Sequence, residues 1–284
     1  MVKAKQIAFN LYRYQILPVS QHFQVGMFGG FKSIEELKKN KNSILTKIFR
    51  KINTFSYSRG SIIHKKLSDR DDILILKIGV ERDLKRKTKE FEIEDIENWE
   101  PSLVAINNRS DVQKCLIQQY AGFQDTKTLA KLLEDNFNKH LKEYQLSISF
   151  QPIYEKNYFW SLIEKYEGKI TQIDFELISP NMSNISDGLK LDLGALNRST
   201  NTKTTHLQLN SHKSSSLTPS KEDELVHSLV EYSAQGGGDI SMRAKGVKKR
   251  IHTSKGINEI SVDEIVIEGA TNENLVGIFK DLMK

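Results

Sequence analysis

The chain has 284 residues, and its 42 Lys and Arg against 36 Asp and Glu give a formal charge of +6. Its hydrophobic fraction of 38% exceeds that of disordered chains and is enough for one large domain or two ordinary ones. The single cysteine, Cys115, excludes a disulfide framework and a cysteine-based zinc site. No apolar run approaches the ~20 residues that span a bilayer, and the charged N-terminus is typical of a strand rather than a secretory signal. We therefore expect a cytoplasmic protein without membrane insertion.

The charge is unevenly distributed along the chain. Residues 1–150 carry 26 basic and 18 acidic side chains, whereas residues 151–284 carry 16 and 18. Such asymmetry is typical of two modules, of which one attracts polyanions. The sequence therefore predicts a basic N-terminal domain over 1–143 and a C-terminal domain over 144–284.

In the first half, β-branched and aromatic residues predict a strand over Gln6–Leu17, which ends at Pro18. Ser33 followed by Glu36 is a capping signature and predicts a helix as far as Ile52. The remaining predicted elements are two strands, Ile73–Val80 and Glu90–Ile96, joined by the charged turn Glu81–Lys89, then a short strand, Leu103–Ile106, and a helix, Thr126–Leu141.

In the second half, strands and helices alternate. The predicted strands are Gln145–Ile153, Ile170–Ser179, Thr202–Leu209, Asp239–Lys245 and Ile260–Glu268. The predicted helices are Tyr158–Tyr166, a short one near Leu189–Leu196, one opened by Thr218-Pro219-Ser220, and a final one from Thr271. This order predicts an α+β fold of two modules, with mixed or antiparallel sheets and helices packed on one face.

One loop comes close to a phosphate-binding motif. Residues Gly26–Ser33 nearly match G-x-x-x-x-G-K-[ST], but Phe31 stands where the motif needs glycine before the lysine. Its β-carbon would obstruct the approach of phosphate oxygens to the backbone. We therefore interpret the segment as an ordinary loop before a capped helix.

Two residue pairs keep a nuclease alternative open. Arg59 and His64 have the R-x4-H spacing of helical ribonuclease toxins, although the residues between them favour a turn that enters a strand. Asp174 and Glu176 lie two apart on one strand face, a pattern that can hold Mg²⁺. Leu177 and Ile178 occupy the positions where restriction-type sites carry lysine, so a solvated strand face is the simpler interpretation.

The other chemistry-bearing residues show no catalytic pattern. The seven histidines form no H-x3-H or H-E-x-x-H group, and the chain has no G-x-S-x-G motif. We therefore predict no catalytic residues, no metal site and no cofactor.

The most informative electrostatic feature is a basic segment late in the chain, inside the half that is otherwise acidic. Between Gly236 and Gly256 six cations face one carboxylate, Asp239; they are Arg243, Lys245, Lys248, Lys249, Arg250 and Lys255. Strand alternation puts Arg243 and Lys245 on one face, beside a basic turn that suits a phosphate backbone. The Gly236-Gly237-Gly238 run would let the backbone approach a partner closely. The alternative is a sheet edge protected by charge.

Two other clusters carry less weight. The Arg82–Lys89 cluster precedes an acidic stretch, so an antiparallel partner strand is expected to neutralise much of it. The predicted N-terminal helix carries a secondary basic patch, formed by Lys38, Lys39, Lys41, Lys47, Arg50 and Lys51.

The stretch DISMRAKG (Asp239–Gly246), a basic turn, Ser254-Lys255-Gly256 and a terminal helix together resemble the C-terminal end of the A component of the Rex phage-exclusion system. The resemblance implies a cytosolic, dimeric, DNA-binding sensor of bacterial antiphage defence, acting through a separate effector protein.

The leading hypothesis is therefore a non-enzymatic protein that binds nucleic acid, with DNA expected rather than RNA, through the late basic segment. One alternative is a nuclease-type toxin. Another is an interaction subunit whose basic face meets an acidic protein partner.

Overall fold

A computed structural model describes residues 5–21, 30–119, 121–180, 189 and 192–284. The strands are β1 (Gln6–Pro18), β2 (Ile62–Arg70), β3 (Ile73–Lys87), β4 (Ile93–Asn107), β5 (Lys114–Gln118), β6 (Leu146–Pro152), β7 (Ile170–Ile178), β8 (Thr204–Asn210), β9 (Gly238–Ala244), β10 (Ile251–His252) and β11 (Glu259–Asp263). The helices are α1 (Ile34–Lys51), α2 (Thr126–Leu141), α3 (Lys156–Lys165), α4 (Leu193–Thr200), α5 (Glu224–Tyr232), α6 (Glu264–Glu268) and α7 (Asn272–Leu282). The α+β class predicted from the sequence is confirmed.

The chain forms two compact units, each discontinuous in sequence. The first consists of Met1–Asn10, Asn40–Glu143 and Ile260–Lys284, and the second of Leu11–Lys39 and Tyr144–Glu259. The chain passes from the first unit to the second between Glu143 and Tyr144. Leu11–Lys39, from the first half of the chain, belongs to the second unit, and Ile260–Lys284, from the second half, belongs to the first.

The first unit is built on six strands in the order β11-β1-β5-β4-β3-β2, to which β1 contributes its N-terminal residues. Helix α7 packs against β2, β3 and β4, and its Phe279 meets Phe9 of β1 edge to face. Helix α2 begins and ends where the sequence predicts, and it buries Leu129, Leu133 and Phe137. Because a helix places every third or fourth residue on one face, this spacing alone defines the buried side of α2.

The charged segment after Val80 is a strand, which corrects the predicted turn over Glu81–Lys89. Strands β3 and β4 continue as an antiparallel ribbon through Lys87 and Ile93. Cross-strand ion pairs join Arg86 to Glu94 at 2.8 Å and Lys85 to Asp95 at 3.7 Å. Opposite charges facing each other across a ladder stabilise it, so the neutralisation expected of this cluster is observed.

The second unit contains a four-stranded sheet in the order β10-β9-β7-β8, and all three of its strand pairings are antiparallel. Alternation along β7 buries Ile173, Phe175 and Leu177 in a core that α3 and α5 cover. The other face of the sheet carries the polar residues of each strand. A one-residue slip in register would exchange these two faces, so burial fixes the pairing.

Three elements predicted in the second half differ from the structure by more than two residues or in type. Ile260–Glu268 begins as β11 but becomes helix α6 at Glu264. The helix opened by Thr218 begins at Glu224, where Asp223 accepts a hydrogen bond from the Val226 amide. The short helix predicted near Leu189 is α4, which starts only at Leu193.

Candidate nucleic-acid interface

The face of the second sheet opposite its helices is a polar grid, which we call the outer face. Its positions are Thr204, His206, Gln208 and Asn210 of β8, Gln172, Asp174 and Glu176 of β7, Asp239, Ser241 and Arg243 of β9, and His252 of β10. The register places His206, Glu176 and Asp239 in one row across three strands. None of these positions holds Phe, Tyr or Trp.

At one side of this grid, Asp239 organises the chain that follows β10. Its Oδ1 accepts hydrogen bonds from the amide of Ser254 and the hydroxyl of Thr253, both at 3.1 Å. Its Oδ2 lies 2.9 Å from His252 Nδ1. Because both oxygens have partners within the protein, this carboxylate serves to hold β9 to β10.

The central carboxylate, Asp174, lies between a histidine and an arginine. His206 Nδ1 lies 3.2 Å from its Oδ1, and Arg250 Nη1 lies 3.5 Å from its Oδ2. The same guanidinium donates to Gln172 Oε1 at 2.9 Å and to Ser241 Oγ at 3.0 Å. Arg250, one of the six cations that the sequence singles out, is thus held against the sheet by a carboxylate.

Backbone hydrogen bonds gather three chain segments at one end of the sheet. The Lys245 amide donates to the Lys169 carbonyl and the Leu217 amide to the Ile170 carbonyl, both at 2.8 Å. Lys245 Nζ itself donates to the Ser215 carbonyl at 3.2 Å. The start of β7, the loop after β8 and the end of β9 therefore lie side by side.

The cations of these segments, with those of the β9–β10 turn, form what we call the basic end: Lys169, Lys213, Arg243, Lys245, Lys248 and Lys249. All six residues are exposed to solvent. None forms an ion pair with a carboxylate in the part of the chain that the structure describes. The basic end is therefore available to an external polyanion, since its charge is not neutralised internally.

The sixth predicted cation, Lys255, lies elsewhere. It follows Ser254, whose amide hydrogen-bonds Asp239 near the start of β9. Arg243 lies four residues further along that strand, which amounts to ~13 Å. The structure therefore separates Lys255 from the turn that carries Lys248 and Lys249.

Sequence reasoning missed Lys169 and Lys213, because each is an isolated cation in its own segment. Lys169 precedes β7, and Lys213 follows β8. In an antiparallel sheet the start of one strand meets the end of its neighbour, so ordering the strands would have brought both to the turn. The missing information was the strand order, not the residue type.

The glycine run before β9 serves the interior of the second unit, which corrects the expectation that it approaches a partner. Gly236 has φ +83°, and a β-carbon there would lie 2.5 Å from Arg13 Cβ. A β-carbon on Gly238 would lie 1.8 Å from the Glu176 carbonyl oxygen. Both residues are buried, so their close contacts are with this chain.

The secondary patch on α1 does not form one cationic surface. Lys41 is only 7% exposed, and Arg50 is paired with Asp69 at 2.5 Å. Lys38 Nζ donates to Gln21 Oε1 at 3.2 Å. The exposed lysines that remain without an ion pair to a described carboxylate are Lys39, Lys47 and Lys51.

The residue pairs behind the nuclease alternative have different outcomes. Arg59 lies in a turn and His64 in β2, where its ring packs edge-on against Phe55 at 4.8 Å, so the helix that the toxin pattern requires is absent between them. Asp174 and Glu176 do share the outer face, as predicted. Within the described ranges, no three His, Cys, Asp or Glu side chains are grouped so as to hold a metal ion.

The near-match to a phosphate loop lies largely outside the described residues. Its C-terminal part leads into α1, where Ser33 Oγ accepts from the Glu36 amide at 3.1 Å and Glu36 accepts from the Lys32 amide at 2.7 Å. The predicted capping signature is therefore present.

Comparisons with known proteins find no protein-family model and no curated protein that matches the chain. Among the helices of the described residues, none has both the length and the apolar character needed to cross a bilayer.

Proposed function

We propose that this protein binds nucleic acid, and duplex DNA in particular, through the basic end of its second sheet. The observation that carries the proposal is the convergence there of six exposed cations from three chain segments, none paired with a described carboxylate. A surface that neutralises phosphates releases condensed counterions, and this release drives the binding of basic proteins to DNA.

The size of the basic end suits a phosphate backbone. Its cations extend across the ends of β8, β7 and β9, a width of ~10 Å at the usual spacing of strands. This width matches the axial rise of about three nucleotides of one DNA strand. The basic end therefore has room for two or three phosphate contacts at once.

The rest of the outer face limits where the polyanion lies. Glu176 is exposed, and Asp239 stands directly across from it in the strand register. Phosphates are repelled from this pair of carboxylates, which confines contact to the opposite end of β9. Because the outer-face positions hold no Phe, Tyr or Trp, this face lacks the large rings on which bases of single strands usually stack, and contact with the backbone of a duplex is favoured.

The resemblance to the Rex A component supplies the biological setting of the proposal. In that setting the protein acts in the bacterial cytoplasm, as a homodimer, as the DNA-binding sensor of an antiphage system that signals to a separate effector protein.

The test compares two triple variants with equal loss of charge. One removes Lys245, Lys248 and Lys249 by substitution with alanine, and the matched control removes the exposed lysines of α1, Lys39, Lys47 and Lys51. Binding to a labelled duplex of about 30 base pairs is followed by fluorescence anisotropy between about 50 and 200 mM salt. The first variant should bind more weakly and flatten the salt slope by up to ~3, whereas the control should keep the slope.

If both variants lose the same affinity and the same salt slope, the proposal is contradicted, because binding would then depend only on the net charge of the protein. Competition with duplex DNA and with single-stranded oligothymidine shows which polymer the protein prefers, and we expect the duplex to compete more strongly. If wild-type protein binds neither polymer at low salt, the proposal is wrong, and an acidic protein partner is the hypothesis to test next.

A further inference from the structure

Strand β8 lies at one edge of the second sheet. It pairs with β7 on one side, and no described strand pairs with it on the other. Two hydrogen bonds show which backbone groups face β7: the Ser179 amide donates to the Lys203 carbonyl and the Ser211 amide to the Thr171 carbonyl, both at 2.9 Å. Because these groups alternate in direction along a strand, those of the odd-numbered residues of β8 face β7. The open side carries the amides and carbonyls of Thr204, His206, Gln208 and Asn210.

These outward amides and carbonyls have no hydrogen-bond partner among the residues that the structure describes. A row of unpaired backbone groups is a template for another strand, and proteins usually block it with charged side chains, proline or a bulge. The sequence of β8 is TTHLQLN, which contains no lysine, arginine, carboxylate or proline. Its pairing with β7 has no register shift. The edge of β8 is therefore unprotected.

The strands at the other ends of the two sheets are short or charged. β10 has only two residues. β2 carries Lys65 and Lys66, and its register shifts directly after them. β11 has a carboxylate at each end, Glu259 and Asp263. Since these edges are blocked in the usual ways, the unprotected edge of β8 indicates a partner strand.

The open edge of β8 also leaves apolar surface. Leu207 and Leu209 pack against the core of the second unit but are only half-buried. A strand added beside β8 would cover them from that side. Both the backbone and the side chains of β8 therefore favour the addition of a strand.

A second copy of β8 fits this edge. In an antiparallel pairing centred on Leu207, this leucine faces its own copy, His206 faces Gln208 of the second copy, and Thr204 faces Asn210. Each outward amide then meets a carbonyl of the other copy. Pairing across a twofold axis brings like residues close together, and like charges there would repel. Because β8 has no charged residue, it can pair with itself without this repulsion.

We propose that this protein forms a twofold homodimer in which β8 pairs antiparallel with β8 of a second copy, so that two sheets become one. The proposal deepens the proposed function, since it gives the homodimer named there a contact surface, and to that extent it rests on it. An interface built on one strand, ~24 Å long, is smaller than that of a standard stable complex. The dimer should therefore be reversible, with dissociation in the micromolar range.

Sedimentation velocity of the full chain without DNA tests the proposal between about 1 and about 200 µM. The wild type should change from monomer to dimer over this range. Gln208→Pro removes an amide that faces the second copy and not β7, so dimerisation should weaken about tenfold or more. Gln208→Ala is the matched control, because it loses the same side-chain bond to Asn210 but keeps the amide. It should dimerise within about threefold of the wild type.

A disulfide tests the register, and it does so even if the proline variant fails to fold. Leu207 would face its own copy in a non-hydrogen-bonded pair, whose α-carbons lie ~4.5 Å apart, within the range of a disulfide. Leu207→Cys should therefore give a cross-linked dimer on mild oxidation. Thr205→Cys is the control on the same strand face, where the two copies of the residue would be offset by ~13 Å along the strands and should stay unlinked. The native Cys115 is buried and does not interfere.

Three results would overturn the proposal. The first is a wild type that stays monomeric at about 200 µM, in which case a strand of another protein is the hypothesis to test next. The second is equal dimerisation of Gln208→Pro and Gln208→Ala, and the third is equal cross-linking of Leu207→Cys and Thr205→Cys. Because these measurements contain no DNA, they are independent of the anisotropy test, and either proposal can fail without the other.

Discussion

Arg250 is bound to Asp174 across the outer face of the second sheet, with 3.5 Å between Nη1 and Oδ2. Two further bonds, to Gln172 and Ser241, fix its guanidinium plane. Its neighbours Lys248 and Lys249 are exposed and form no ion pair with a described carboxylate. Three cations that are nearly consecutive in sequence therefore have different roles: two face solvent, and one ties β10 to β7.

This difference predicts separate effects in DNA binding. The double variant with alanine at Lys248 and Lys249 should lower the salt slope by ~2, since each phosphate contact contributes ~0.9 on duplex DNA. Arg250→Ala should leave the slope near that of the wild type, because its charge is already opposed by Asp174. Anisotropy titrations at four salt concentrations measure both slopes.

Arg250→Ala should act on stability instead. It removes three side-chain contacts from a residue whose side chain is 35% exposed, so after allowance for solvent screening we expect a loss of about 1–2 kcal/mol in the free energy of unfolding. Urea denaturation measures this loss. The assignment of roles is wrong if Arg250→Ala lowers the salt slope as much as the loss of a lysine does while stability stays unchanged.

The strand alternation of Asp239–Lys245 could be predicted from its residues, and so could the core of the second unit. Ile240 and Met242 are buried and Arg243 is exposed, as the period of two requires. The basic turn that follows could also be predicted, because its cations are close together in the sequence. The local sequence could not show that Lys169 and Lys213 lie near that turn, because the strand order brings them there.

Charge misled the prediction between Glu81 and Lys89, which was expected to be a turn. High polarity favours a turn when a segment is considered alone, but Arg86 and Lys85 find Glu94 and Asp95 across the ladder. Partners in the neighbouring strand thus supplied what local propensity lacked. The pairing of Arg250 with Asp174 could not be predicted, because 76 residues separate them in sequence.

At Gly238 we expect the addition of a single methyl group to have a severe effect on stability. A β-carbon would lie 1.8 Å from the Glu176 carbonyl oxygen, a backbone atom that cannot move without breaking the β7–β9 pairing. Gly238→Ala should therefore cost more than about 4 kcal/mol or prevent folding. Thermal denaturation and soluble yield measure the effect.

Gly277 provides the matched control in helix α7, where a β-carbon meets nothing within 4 Å. Gly277→Ala should raise stability by about 0.5–1 kcal/mol, because alanine is the better helix former. If both substitutions are tolerated equally, β7 and β9 do not approach each other as described.

Cys115 should be inert toward thiol reagents in the native protein. It is 0% exposed, and burial raises the pKa of its thiol, so the reactive thiolate is suppressed. Its labelling by an aromatic disulfide reagent should be at least about a thousandfold slower than in denaturant and should follow the opening of the first unit. Rapid native labelling would contradict the burial of β5.

His64 should make stability depend on pH. Burial lowers the pKa of its imidazole below the ordinary value of 6.5, and the nearby Lys66 lowers it further. The unfolded chain therefore binds the proton first as the pH falls below 6.5, and folding loses stability there until the native histidine also titrates. Above that pH both states are neutral at this position, so its full contribution is present.

The substitution His64→Phe keeps a ring against Phe55 and removes the titration. Between about pH 8 and about pH 5, the wild type should lose more unfolding free energy than His64→Phe, as measured by urea denaturation at both pH values. The other histidines are present in both proteins, so the difference between the two curves isolates this side chain. If acidification destabilises His64→Phe as much as or more than the wild type, the imidazole of the folded protein is not shielded from water by Phe55 and its neighbours.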